Sequence, residues 1–155
     1  MEPNDTNEPV CYNSSFRHGV DDKRRVQIPA LWRPAIPGTQ LTLVSYPAST
    51  EVGRCLRVLS LKQMLKVMEG IDAIPNREPK KVLLRRTFGG ESVQVVLDKA
   101  GRILIPEKMA MEAGIKDEAL LVGMLHFFEI WNPERYEKLK PSEEVLVDTF
   151  AEYIG

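Results

Sequence analysis

The sequence predicts an α+β protein built from two tandem, strand-rich halves with short flanking helices. One motif occurs twice: Val20-Asp21-Asp22-Lys23-Arg24-Arg25-Val26-Gln27-Ile28-Pro29 and Leu97-Asp98-Lys99-Ala100-Gly101-Arg102-Ile103-Leu104-Ile105-Pro106. In each, an apolar residue, an Asp and a charged turn lead to an Arg, an apolar alternation and an Ile-Pro. A Pro cannot donate to a β-ladder, so it closes the strand. The segments after each motif also correspond, and each half reads strand, turn, strand, helical turn or short helix, strand, strand, helix. A pattern of this length repeated within 155 residues marks an internal duplication.

In chain order, residues 1–11 are polar, with little apolar content, and are read as a disordered extension. Tyr12, Ser14, Phe16 and His18 alternate towards Val20 and predict a strand ahead of the first motif. Pro34 to Gly38 is a loop, Leu41 to Tyr46 a strand, and Pro47 to Gly53 a loop without regular structure. Cys55 to Leu59 is a strand, and Ser60 is the N-cap of the next helix. There Leu61, Met64, Leu65 and Met68 recur at helical spacing and are expected to face the core, with Gly70 ending the helix. These elements make a first repeat over residues 12–74.

Residues 75–90 hold a Pro-rich linker and a connecting helix over Lys80 to Phe88, stopped by Gly89-Gly90. A second repeat spans 91–140. In it Ser92 to Leu97 is a strand, and a helix from Pro106 stops at Gly114. Leu120 to Gly123 and Phe127 to Trp131 are strands, and Pro133 opens a helix. Residues 141–155 are read as a final amphipathic helix, with Val145, Leu146, Thr149 and Phe150 at helical spacing.

Composition narrows the function classes. Charged residues are 28% and apolar residues 43% of the chain, as in soluble globular proteins. No apolar run approaches the roughly 20 residues of a membrane span, and the polar start does not look like a signal peptide, so a cytoplasmic protein without a membrane partner is expected. Cys11, Cys55, His18 and His126 are nowhere paired at metal-ligand spacing, so no metal or other cofactor is expected. Cys55 is read as a buried, inert thiol. With no nucleophile–base set and no Gly-rich phosphate loop, neither catalysis nor a small-molecule substrate is expected. A formal net charge of −1 argues against an indiscriminate polyanion binder but not against a local basic face. Arg17, Lys23, Arg24 and Arg25 gather around the first motif. On charge alone a solvated hairpin tip remains the ordinary reading of that cluster.

The residues resemble the MraZ family of bacterial transcription regulators, two fused copies of the swapped-hairpin half-domain of AbrB-like and SpoVT-like DNA-binding proteins. His18-Gly19-Val20-Asp21 resembles the family's H-x-L-D. Asp21 to Ala30 resembles D-x-K-G-R-[LV]-x-I-P-A, and Leu84-Arg85-Arg86-Thr87-Phe88-Gly89-Gly90 resembles L-R-R-x-F-F-G-G. Leu97 to Pro106, Leu121-Val122-Gly123 and Glu129-Ile130-Trp131 match the second repeat. The resemblance implies tandem AbrB-like β-barrel halves closed into an intramolecular pseudo-dimer. It implies a ring of about eight to twelve subunits that binds double-stranded DNA at tandem promoter repeats. It further implies a nucleoid-associated repressor of the division and cell-wall gene cluster.

On that basis Arg17, Lys23, Arg24, Arg25, Lys99 and Arg102 are the candidate DNA-binding residues, Arg102 being open to a structural role as well. Asp21, Asp98 and Gly101 are candidate structural turn residues, each Asp pairing with the Arg four positions on. Arg85 and Arg86 are expected to face a neighbouring subunit or the acidic tail rather than DNA. One departure stands out: the family's Gly in the first turn is Arg24, which must either adopt a positive φ or force another turn type. The rival reading is an interaction scaffold of the same fold without a DNA target.

Overall fold

The computed structural model describes residues 11–155. The expected extension lies outside the described residues except for Cys11, which is exposed. Strands β1 (Ser15–Gly19) and β2 (Arg25–Gln27) flank the first motif turn, and a 3-10 turn at Ala30–Trp32 follows. Next come β3 (Gln40–Ser49), β4 (Gly53–Leu59) and helices α1 (Leu61–Asp72) and α2 (Pro79–Glu91). The second half repeats the plan with β5 (Val93–Val96), β6 (Arg102–Leu104), α3 (Glu107–Ala113), β7 (Glu118–Gly123), β8 (Phe128–Trp131) and α4 (Pro133–Leu139). Helix α5 (Glu143–Tyr153) ends the chain.

The two halves exchange their hairpin strands. β1 of the first half pairs antiparallel with β7 of the second, and β5 of the second pairs with β3 of the first. β2 and β6 pair with each other as a separate two-stranded ribbon. The remaining strands join one open sheet in the order β1-β7-β8-β4-β3-β5, shared by both halves, rather than closing a barrel within each. The interlocked α+β pseudo-dimer expected from the sequence is therefore present.

The core sits where the halves cross. Val26 and Ile28 from the first motif meet Ile103 and Ile105 from the second, and all four are fully buried. Around them Tyr12, Phe16 and Trp32 of the first half close on Phe128 of the second. Trp32 meets Phe16 edge to face at 5.2 Å and lies 4.9 Å from Phe128. Such ring pairs add about 0.5–1.5 kcal/mol each beyond their buried area. A polar device lies beside this core. Arg57 of β4 is stacked on Tyr46, donates to Glu129 of β8 at 2.7 Å, and Glu129 also accepts from the Trp131 indole. Cys55 is buried as expected; burial first, and then the Glu129 charge, push its thiol far above the ordinary range.

Several boundaries differ from expectation. β3 runs on through Pro47 to Ser49, because a register shift there lets the edge absorb the Pro. α1 passes Gly70 to Asp72, where Ile71 is buried. α2 passes Gly89-Gly90 to Glu91, at a propensity cost of about 1 kcal/mol per Gly that does not stop an established helix. Two caps behave as read: Ser60 Oγ accepts from Gln63 N, and Gly114 takes a left-handed φ of 67° after α3; Ser142 Oγ, accepting from Val145 N, caps α5 as well. The Leu61, Leu65 and Met68 stripe is a correction: these side chains are exposed, so they do not face the core of this chain. No helix among the described residues is long and apolar enough to cross a membrane.

Candidate nucleic-acid interface

The two motif turns have the same internal bonding. In the first, Asp21 Oδ1 accepts from the backbone N–H groups of Lys23 and Arg25, each at 2.9 Å, and Oδ2 accepts from Arg25 Nε at 2.7 Å. In the second, Asp98 Oδ1 accepts from Ala100 N and Arg102 N, each at 2.9 Å, and Oδ2 accepts from Arg102 Nε at 2.9 Å. Backbone hydrogen bonds from Arg25 and Arg102, followed by those from their side chains, hold both carboxyls below the ordinary Asp range. Each Asp thus locks its turn and aims its Arg through the Nε edge, as the i, i+4 spacing suggests. The first turn also reaches the second, since Arg102 Nη1 lies 3.8 Å from Asp21 Oδ2.

The ribbon gives these guanidiniums a common face. Arg25 lies opposite Leu104, Val26 opposite Ile103 and Gln27 opposite Arg102. Alternation sends Val26 and Ile103 inward, while Arg25, Gln27, Arg102 and Leu104 remain on the other face. No described residue takes a hydrogen bond from the Nη groups of Arg25, so its outer edge is available. Lys23 and Lys99, both exposed, stand at the two turns. Gln27 and Leu104 were not among the candidates read from the sequence, although the period-two alternation after each motif Arg points to them.

Arg24 takes the positive φ, 61°, that its counterpart Gly101 takes at 80°. The turn type is therefore kept, and a side chain is added. Arg24 Nε donates to the Ile105 carbonyl at 3.0 Å. On the other side the equivalent carbonyl, that of Ile28, accepts from Arg33 Nε at 2.9 Å. Arg33 reaches it by crossing the bare face of Gly101, where a Cβ would collide with its guanidinium. Both carbonyls before the motif prolines are thus capped by guanidinium from different sequence positions. Arg24 is tied to structure as well as carrying charge.

Arg17 stands apart from the turns. It lies in β1 of the six-stranded sheet and is committed to Glu118 at 2.8 Å. A cavity of about 510 Å³ beside it is lined by Asp117, Glu134 and Glu137 as well as Lys116, a poor setting for phosphate. His18 lies in the same strand, its ring stacked on Phe16. Among the described residues no three His, Cys, Asp or Glu side chains gather as a metal site.

Comparison with known proteins agrees with this geometry. A family model described as "MraZ protein, putative antitoxin-like" matches residues 88–151. A protein named transcriptional regulator MraZ from Rickettsia rickettsii (strain Sheila Smith) is 32% identical over 127 residues, covering 81% of this chain and 83% of the relative. Proteins of the same name from Rickettsia akari (strain Hartford) and Thermomicrobium roseum are 30% and 31% identical, over 85% and 78% of this chain and 89% and 81% of theirs. Two interlocked motif turns, one shared ribbon and relatives matched along most of their length lead to one assignment: the chain belongs to the MraZ family.

Proposed function

We propose that this chain is a sequence-specific DNA-binding transcriptional regulator that presents the β2–β6 ribbon to the major groove. The observation that carries the reading is the outer face of that ribbon, where Arg25, Gln27, Arg102 and Leu104 stand together between Lys23 and Lys99. A two-stranded ribbon is narrow enough for the major groove. There an Arg held at Nε keeps its Nη edge for guanine O6 and N7, Gln27, whose Nε2 donates to the Ala100 carbonyl at 2.7 Å, keeps its Oε1 to accept from adenine N6, and Leu104 suits a thymine methyl. Lys23, Lys99 and the charge of Arg24 supply phosphate contacts, which are salt-dependent and position the protein without reading sequence. Asp21 and Asp98 do not hold phosphate; they orient the arginines. Arg17 is left a minor, backbone-directed role at most, given its partner Glu118.

The relatives' name, transcriptional regulator, supports the same reading. As in the family it resembles, the target is a set of tandem repeats upstream of the division and cell-wall gene cluster, and the effect is repression. The site of action is then the cytoplasm, at the nucleoid. Each subunit carries few cations, so a ring of about eight to twelve copies makes the affinity by linking weak contacts through effective concentration.

The test is fluorescence anisotropy against DNA from upstream of the chain's own gene, at fixed salt. Arg25→Ala is expected to weaken binding roughly fivefold to a hundredfold, the range of one good base contact of about 1–3 kcal/mol, with the oligomer unchanged. Binding within about twofold of wild type makes Arg25 a structural residue only. Wild-type protein that shows no preference for this DNA returns the molecule to the scaffold reading.

A further inference from the structure

Among the described residues, two apolar surfaces lie uncovered. One is α5, in which every residue except Leu146 is exposed. Around Phe150, at spacings of three and four, stand Leu146, Val147, Tyr153 and Ile154, a continuous stripe at helical period. Glu144, Asp148 and Glu152 run along the opposite face, and Glu143 closes the N-terminal end, so the helix is acidic with no cation. At 11 residues it falls short of the roughly 12–15 at which an isolated helix holds together in water.

The other surface is the groove between α1 and α2. It encloses about 360 Å³ and is lined by Met64, Met68, Ile71 and Phe88, with Arg85 and Asp72 at its rim. Leu65 and Leu61 extend its apolar side along α1, and Leu83 is exposed on α2. The charge leans to the opposite sign from α5: the two helices expose Lys62, Lys66, Lys80, Arg85 and Arg86 against Glu69, Asp72 and Glu91, with Arg85 paired to Asp72 at 3.2 Å. Met and Leu side chains suit such a groove because they repack around an incoming helix.

We infer that α5 of one chain lies, apolar face down, in the α1–α2 groove of a second copy of the same chain. Phe150 is the anchor, and the acidic helix is drawn to the basic hairpin. This is the helix-in-groove mode of recognition, with anchors read at three- and four-residue spacing. Because helix and groove are different surfaces of one chain, the contact is head-to-tail, and repeating it closes a ring if the rotation allows. The inference rests on the ring in the proposed function and names the contact that forms it.

The test uses full-length chains. Phe150→Asp spoils the helix, and Met68→Asp spoils the groove. Both side chains are more than half exposed, so the fold is retained, as far-ultraviolet circular dichroism checks; Leu65→Asp replaces Met68→Asp if that variant fails to fold. By light scattering at micromolar concentration, each variant alone is expected to fall from the wild-type assembly to the 17.6 kDa of one chain or nearly so. Mixed in equal amounts, they are expected to form a dimer and nothing larger, because only one intact helix–groove pair exists between them. If each variant alone keeps the wild-type mass, the ring stands on another contact and the inference is overturned. If both become monomers but the mixture stays monomeric, the contact is not head-to-tail and the inference is again overturned. A monomeric wild type overturns the ring and this contact together.

Discussion

Arg24 and Gly101 hold the same place in the two turns, and Arg33 makes up the difference between them. This exchange leads to unequal effects of apparently matching substitutions. Gly101→Ala drives a Cβ into the Arg33 guanidinium and frees the Ile28 carbonyl. Losing that hydrogen bond costs about 1 kcal/mol, and an Ala at φ near 80° costs about 1 kcal/mol more. Urea denaturation is expected to show a loss of about 2 kcal/mol. Arg24→Gly removes a hydrogen bond to the Ile105 carbonyl but relieves a positive φ, so its stability is expected to stay within about 1 kcal/mol of wild type. Equal losses for the two would show that Arg33 does not cap Ile28. The Asp–Arg pairs are legible in the sequence because five consecutive residues of one turn contain the whole interaction. The Arg33–Gly101 approach is not, because it joins segments of different halves that only the fold brings together.

At the scale of elements, the strands that flank each motif turn find their partners in the other half, while β3–β4 and β7–β8 pair within their own halves. β1 needs β7, β5 needs β3, and β2 needs β6. A fragment carrying residues 11–91 therefore leaves β1, β2 and β3 with unpaired edges and half of the Val26–Ile103 core exposed. Each half expressed alone is expected to lack cooperative thermal unfolding, and the two co-expressed are expected to purify as one complex with a single transition. Cooperative unfolding of an isolated half would contradict the interlocked pairing. That the halves interlock is readable from the duplicated motif together with the family resemblance, whereas the strand order within the shared sheet is not. Alternation marked each strand but carries no information about its partner. The helices are less legible: Gly70, Gly89 and Gly90 read as stops, yet each lies within an established helix. The stripe of α1 reads as core because periodicity reports that a face is apolar, not which molecule covers it.

For the whole molecule, the linkage of many weak sites sets the expected binding curve. If ring subunits engage tandem repeats together, affinity is expected to rise steeply from one repeat to four, as later contacts become intramolecular with effective concentrations of the order of millimolar. The salt slope should steepen in step, since each engaged subunit releases counterions. Inserting about half a helical turn between repeats should cost as much as deleting one, because a groove-reading ribbon returns to the same DNA face once per turn of roughly 10 base pairs. A titration against such DNAs checks all three. Equal affinity throughout would mean that subunits bind singly.

The ribbon is built on a near-twofold plan, yet its two ends are chemically different: Asp22-Lys23-Arg24 at one, Lys99-Ala100-Gly101 at the other, with Gln27 and Leu104 in matching places. Two chains in an ordinary dimer would make such a ribbon identical at both ends, and it would suit a palindrome. Fusing the halves into one chain lets the ends diverge, so each subunit has a head and a tail along the DNA. A reader with that polarity treats the two orientations of a site as different sequences. Copies laid in one direction can then be addressed in succession, whereas an inverted copy meets the wrong end of the ribbon.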